Sequence, residues 1–207
     1  MLADLPKMLE SRTIQPSFKE IHVILALIII KGQEKGIGRY RLKNELNLPE
    51  GAVKSLLTKM KKNELIETDS RISGHKITQK GDSILEELFS KISPPEIPTF
   101  DYRPLVIGEF AYYALARNFG DHVKSGIEQR DDAIKIGGTG ATCLIYKNKT
   151  LNFPKQSNGD SEYNTANIKT SEIKYPIKEN DVLVIGAANN QSLARLVTLN
   201  VCYGLLK

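Results

Sequence analysis

Tryptophan is absent, and only two cysteines and three histidines occur in 207 residues. Two cysteines cannot build the disulfide framework of a small secreted domain, and no CxxC pair is present for zinc or redox chemistry. Cys143 and Cys202 stand in apolar surroundings (ATCLIY and NVCYG), which predicts buried free thiols. His22, His75 and His122 lie in three distant contexts, so no metal-ligating cluster is visible. Long hydrophobic runs are missing too. The longest, residues 23–30, is far short of the roughly 20 residues that a membrane-spanning helix needs. No charged segment followed by an apolar one opens the sequence, so a cytoplasmic location and no membrane partner are expected. Without a Ser-His-Asp or Cys-His arrangement, no catalytic residues and no cofactor are expected.

What is present is an ordinary folded composition, 41% hydrophobic and 26% charged, with 15 Gly and 9 Pro. That excludes collagen and wholesale disorder. The length fits one large domain or two small ones. SPPEIP (93–98) cannot be helical and reads as a linker, which divides the chain into 1–93, a Pro-rich linker 94–104, and 105–207. Charge is uneven across that division. Residues 1–93 carry a net +4 and residues 94–207 a net +1. Between Lys35 and Lys62 eight basic residues meet only Glu45 and Glu50, a net +6. A local positive field of this kind suits phosphate, although a Lys-rich solvated helix gives the same count.

The first half reads as a run of short elements. A short helix covers 2–9. A strongly apolar helix covers 18–31, with Ser17 as N-cap, Glu20 completing a capping box, and Gly32 as the stop. A helix from Arg39 or Tyr40 to Leu46 precedes the turn NLPEG. The next helix, to about Asn63, has Val53, Leu56, Leu57 and Met60 at helical spacing, one buried stripe. Residues 65–68 and 75–78 form a hairpin around Ser73-Gly74, and a helix over 79–92 closes the half.

Helix, short helix, turn, helix, hairpin, helix is the helix-turn-helix order with a wing. Residues 18–92, through GIGRYRLKNELNLPEGAVKSLLTKMKKNELIE (36–67) and RISGHKITQKG (71–81), resemble a winged helix-turn-helix domain of archaeal transcription regulators. Asn63-Glu64 stands at the helix-to-wing junction, where Gly is commoner. The resemblance implies double-stranded DNA as partner. The recognition helix would then offer Glu50, Gly51, Lys54 and Ser55 to base edges, and Thr58, Lys59 and Lys62 to phosphates. Arg39 and Arg41 would meet phosphate at the start of the preceding helix. Arg71, His75 and Lys76 would reach from the wing, with His75 read as a solvent-exposed wing residue. No Arg or Gln projects from the body of the recognition helix. Selectivity is therefore expected from a homodimer reading two half-sites.

The second half predicts a small α+β domain, a sheet covered by helices. Strands are expected over 110–115, 141–146, 150–153 and 181–187, helices over 123–136 and 192–206, and a long polar loop over 155–172. Two places suit an unknown small-molecule effector. One is the GGTG turn (Gly137, Gly138, Thr139, Gly140) with neighbouring Arg130 and Asp131. The other is Asn189-Asn190 before the last helix. A plain C-cap turn and an ordinary N-cap explain the same residues.

EQRDDAIKIGGTGATCLIYKNKTLNFP with IKENDVLVIGAANNQSLARL resembles the C-terminal domain of a two-domain archaeal family of unknown function that carries the same kind of winged helix. Thr150-Leu151-Asn152 also echoes the archaeal CTP-dependent riboflavin kinases. Their proline-glycine is replaced here by Lys147-Asn148-Lys149. The expectation is a DNA-binding transcriptional regulator whose C-terminal domain senses an effector or dimerises. A protein-interaction adaptor and a riboflavin kinase-like enzyme are the alternatives.

Overall fold

In the computed structural model, residues 2–10, 16–33, 37–69, 74–154 and 165–207 are described. Among them the chain is α+β, with seven α-helices and two antiparallel sheets. It divides into two units, 1–90 and 91–207. No helix among the described residues is long and apolar enough to cross a membrane.

The first unit orders itself around its most apolar segment. After a short helix, α1 (Leu5–Leu9), α2 (Glu20–Lys31) is buried on nearly every side, which follows from its run of Ile, Leu and Val. Its start differs from the expected capping box. Lys19, not Ser17, is the N-cap residue, and its backbone N–H donates to Nδ1 of buried His22 at 3.0 Å. Next come α3 (Arg39–Leu46) and α4 (Glu50–Lys62), joined through Asn47 in the left-handed conformation. Val53, Leu56, Leu57 and Met60 of α4 are all buried, as their spacing predicts. β1 (Ile66–Asp69) and β2 (Gly74–Ile77) pair antiparallel, with His75 opposite Thr68, and Ile37 bridges to His75. Glu64, at the junction where Gly is expected, has φ 58°. α5 (Gln79–Phe89) starts at an N-cap Thr78 that accepts from the Gly81 amide.

The second unit begins three residues before the expected linker. Residues 91–96 lie along β3 (Phe110–Ala116). The Arg117 N–H donates to the Lys91 carbonyl, Ser93 N–H to that of Leu115, and Glu96 and Tyr113 exchange both bonds at 2.8 Å. Residues 94–96 of the segment read as a linker therefore lie at the sheet edge. β4 (Gly140–Lys147), β5 (Thr150–Asn152) and β6 (Val182–Ala188) complete an antiparallel sheet in the order β3-β6-β4-β5. The turn Asn148-Lys149, both with positive φ, makes the β4–β5 hairpin.

β6 is central and wholly buried, as its apolar run predicts. α6 (Ile127–Lys135) and α7 (Gln191–Leu205) cover one face. The other face, with Tyr113, Leu144, Leu183 and Ile185, packs under Phe100, Val106, Ile168 and Ile173 of the connecting segments. Among the described residues this sheet is open, not closed into a barrel. Cys143 and Cys202 are free and buried, and burial pushes the Cys143 thiol up to about 12.

Candidate nucleic-acid interface

α3 begins at Gly38, which has no side chain to cap the helix, so Leu42 N–H is the first to bond back, to the Gly38 carbonyl. The first-turn amides of Arg39, Tyr40 and Arg41 thus lack a side-chain cap, and all three side chains are exposed, Tyr40 by 78%. Arg41 Nη1 donates to Gln33 Oε1 at 3.3 Å. On α4, Glu50, Lys54, Ser55, Thr58, Lys61 and Lys62 are exposed. Thr58 Oγ1 donates to the Lys54 carbonyl at 2.9 Å, so its hydroxyl is bonded to its own helix.

Lys59 differs from its neighbours. Its Nζ donates to the carbonyls of Leu9 and Glu10 at 2.7 and 2.9 Å, where it ties down the C-terminus of α1. Asn63 Nδ2 adds a bond to the Met8 carbonyl. Assigned to phosphate from the sequence, Lys59 is instead held by backbone oxygens.

His75 also departs from expectation. It is half-buried, with Nδ1 buried and without a hydrogen-bond partner among the described residues. Burial, then Lys61 and Arg39, hold its pKa below the usual histidine value, and the Glu67 carbonyl opposes them. Sequence reading passed over Lys61 as a site residue. Helical spacing had the signal, because Lys54 and Lys61 are seven residues apart on one stripe. Lys76 is exposed and lies opposite Glu67. Arg71 lies outside the described residues.

The second set of candidates is consumed by the fold. The Gly137, Gly138 and Thr139 amides donate to the carbonyls of Ile134, Ala133 and Ala187, each at 2.9 Å. Gly140 pairs with Ala187 in the sheet, and Thr139 Oγ1 donates to the Ile107 carbonyl. A Cβ on Gly138 would lie 2.6 Å from Val197 Cγ2. The turn thus presents no free amide of these three to an anion, and Gly138 is a packing glycine. Asn190 Oδ1 accepts from Leu193 N–H at 2.8 Å, an ordinary N-cap, while Asn189 is exposed. Arg130 and Asp131 form an exposed pair at 3.4 Å. Among the described residues no cluster of His, Cys, Asp or Glu is arranged to hold a metal ion.

Residues 107–205 match the family model described as a domain of unknown function, DUF4443, and residues 20–83 match the PH0730-like N-terminal domain. A solved structure, the hypothetical protein PH0730 from Pyrococcus horikoshii OT3, is similar over 91% of this chain and 93% of that one. Its sequence identity is 25% and its TM-score 0.69. No curated protein matches. Together the matches fit an archaeal-type, two-domain family of unknown function.

Proposed function

We propose that the N-terminal unit is a winged helix-turn-helix that binds double-stranded DNA, and that the chain is a transcriptional regulator rather than an enzyme. One observation carries the reading. Arg39, Lys54, Lys61 and Lys62 stand exposed around the start of α3 and the outer face of α4. Among the described residues no carboxylate lies within ion-pair distance of them. Elsewhere in the same unit Lys31 pairs with Asp82, and Lys80 with Glu64. These cations are thus left without ion pairs on a net-positive stretch, which suits a polyanion.

In this reading α4 enters the major groove with Glu50 and Ser55 toward base edges and Lys54 on a phosphate. Arg39, Arg41 and Lys62 hold phosphates, with Lys76 reaching from the hairpin. Lysine is a point charge, so phosphate contacts dominate and one chain alone discriminates weakly. Selectivity then comes from two copies reading two half-sites, with the C-terminal unit pairing them. An effector that binds one arrangement better would shift DNA affinity.

The test is a titration of the full chain against mixed-sequence duplex at two salt concentrations. Binding should weaken steeply with salt. Substituting Arg39, Lys54 and Lys62 together by Ala should flatten the salt slope by about three, near 0.9 for each lost phosphate contact. Absence of salt-dependent binding would overturn the reading and favour an adaptor that uses the same surface for protein.

A further inference from the structure

We infer that DNA binding by this chain takes up a proton at His75, so that the complex tightens as the pH falls. The inference rests on the DNA reading above and names a regulation of that same surface. Its basis is where the ring sits. β2 places His75 opposite Thr68 of β1, and Ile37 bridges to it from the other side. Ile37 lies two residues before Arg39, so the start of α3 is held beside the ring.

Three groups face His75 from the packed elements: Arg39 from α3, Lys61 from α4, and the Glu67 carbonyl from β1. No carboxylate is among them. Nδ1 is buried and finds no acceptor among the described residues. In the free protein burial first, and then the two cations, disfavour a second proton on that unpartnered nitrogen. Arg39 is exposed at the uncapped start of α3, and Lys61 is exposed on the last turn of α4. A phosphodiester anion arriving at these two cations cancels their share of what disfavours the proton. His75 then becomes a third cation at the same phosphate.

The sign follows from linkage. A group that is harder to protonate in the free chain than in the complex binds a proton on association. Affinity therefore rises as pH falls through the bound value toward the free one, and is flat above both. The protonated ring also adds a phosphate-neutralising charge, so the salt slope steepens by about one at low pH.

The experiment uses the full chain and a short mixed-sequence duplex at about pH 7.5, 6.5 and 5.5, each at two salt concentrations. Wild type should gain about threefold to tenfold in affinity from the highest to the lowest pH. His75→Gln should lose the pH dependence. A wild-type affinity flat with pH, or a pH dependence that survives His75→Gln, overturns the proposal while leaving the DNA reading standing. No binding at any pH overturns both. Should the variant fail to fold, the assigned His75 ring resonance of wild type, followed against pH with and without duplex, decides. Its titration must move upward on binding, apart from those of His22 and His122.

Discussion

His22 shows how one side chain ties a helix start to solution pH. It is buried, yet its Nδ1 accepts the Lys19 N–H, so the third helical residue bonds back to the N-cap backbone at the start of α2. Burial dominates and lowers its pKa from 6.5 to about 4, with the Lys19 backbone bond opposing and the Lys19 charge adding slightly. A lowered histidine value means that the unfolded chain binds more protons than the folded one between these two limits. Stability from this residue is therefore complete above about pH 6.5 and is lost as pH falls toward 4, on the order of 3 kcal/mol in all. His22→Asn keeps an acceptor near the Nδ1 position but does not titrate. Denaturant unfolding from pH 7 to 4 should show a steep decline for wild type and a shallower one for the variant. Equal slopes would mean that carboxylates, not His22, govern acid unfolding. Nothing in the sequence announces this role. The apolar run around His22 is legible, but the bond from Lys19 depends on a chain entry angle that no pattern encodes. Asp181 is a similar case. This buried carboxylate takes bonds from Arg117 Nη1, Asn118 N–H and Lys178 N–H at 2.7, 3.0 and 2.9 Å, from residues as far as 64 positions away.

At the scale of elements, helical geometry separates lysines that the charge count merges. Lys54 and Lys61 share a stripe of α4, whereas Lys59 lies about 140° around the helix from Lys54 and reaches α1 instead. Lys59→Met should therefore loosen residues 5–10 and cost about 1 kcal/mol of stability while leaving the salt slope of DNA binding unchanged. Lys54→Met should do the reverse. Amide exchange of α1 in the two variants checks the first half, and DNA titration the second. A Lys59 variant with a flatter salt slope and an unaltered α1 would return Lys59 to the phosphate set. The same contrast explains what was legible. The Val53, Leu56, Leu57, Met60 stripe and the β6 run are set by local period and burial, so both elements fall where expected within a residue or so. The helix expected over 123–136 starts only at Ile127, because Gly126 takes a left-handed conformation at φ 76° after a 3₁₀ turn at Gly120–His122. The Pro-rich 94–98 segment looked like a linker because Pro forbids helix. It does not forbid pairing at a sheet edge, and Glu96 pairs with Tyr113 there.

At the scale of the whole molecule, the proposed DNA reading by weak point charges would need a way to multiply contacts, and the second unit has one exposed apolar surface that bears on it. Ile127 and Ile134 are seven residues apart on α6, so they share a face, and they are 53% and 52% exposed. Ile107, held beside the 137–140 turn through its carbonyl, is 84% exposed. Large apolar side chains aligned in this way cost little in a monomer and gain when two copies bury them. If pairing through α6 brings two α4 helices to one duplex, the second contact becomes intramolecular, and avidity adds on the order of 10²- to 10⁴-fold. Ile127→Glu with Ile134→Glu should then shift the chain from dimer to the 23.1 kDa monomer in sedimentation. It should also weaken binding to a two-half-site duplex by about that factor, and leave binding to a single half-site nearly unchanged. A wild-type chain that sediments as a monomer throughout would remove dimerisation from the reading. A variant that loses single-site binding as well would mean the α6 face supports the fold rather than the pairing, so the single-site control decides between those two causes.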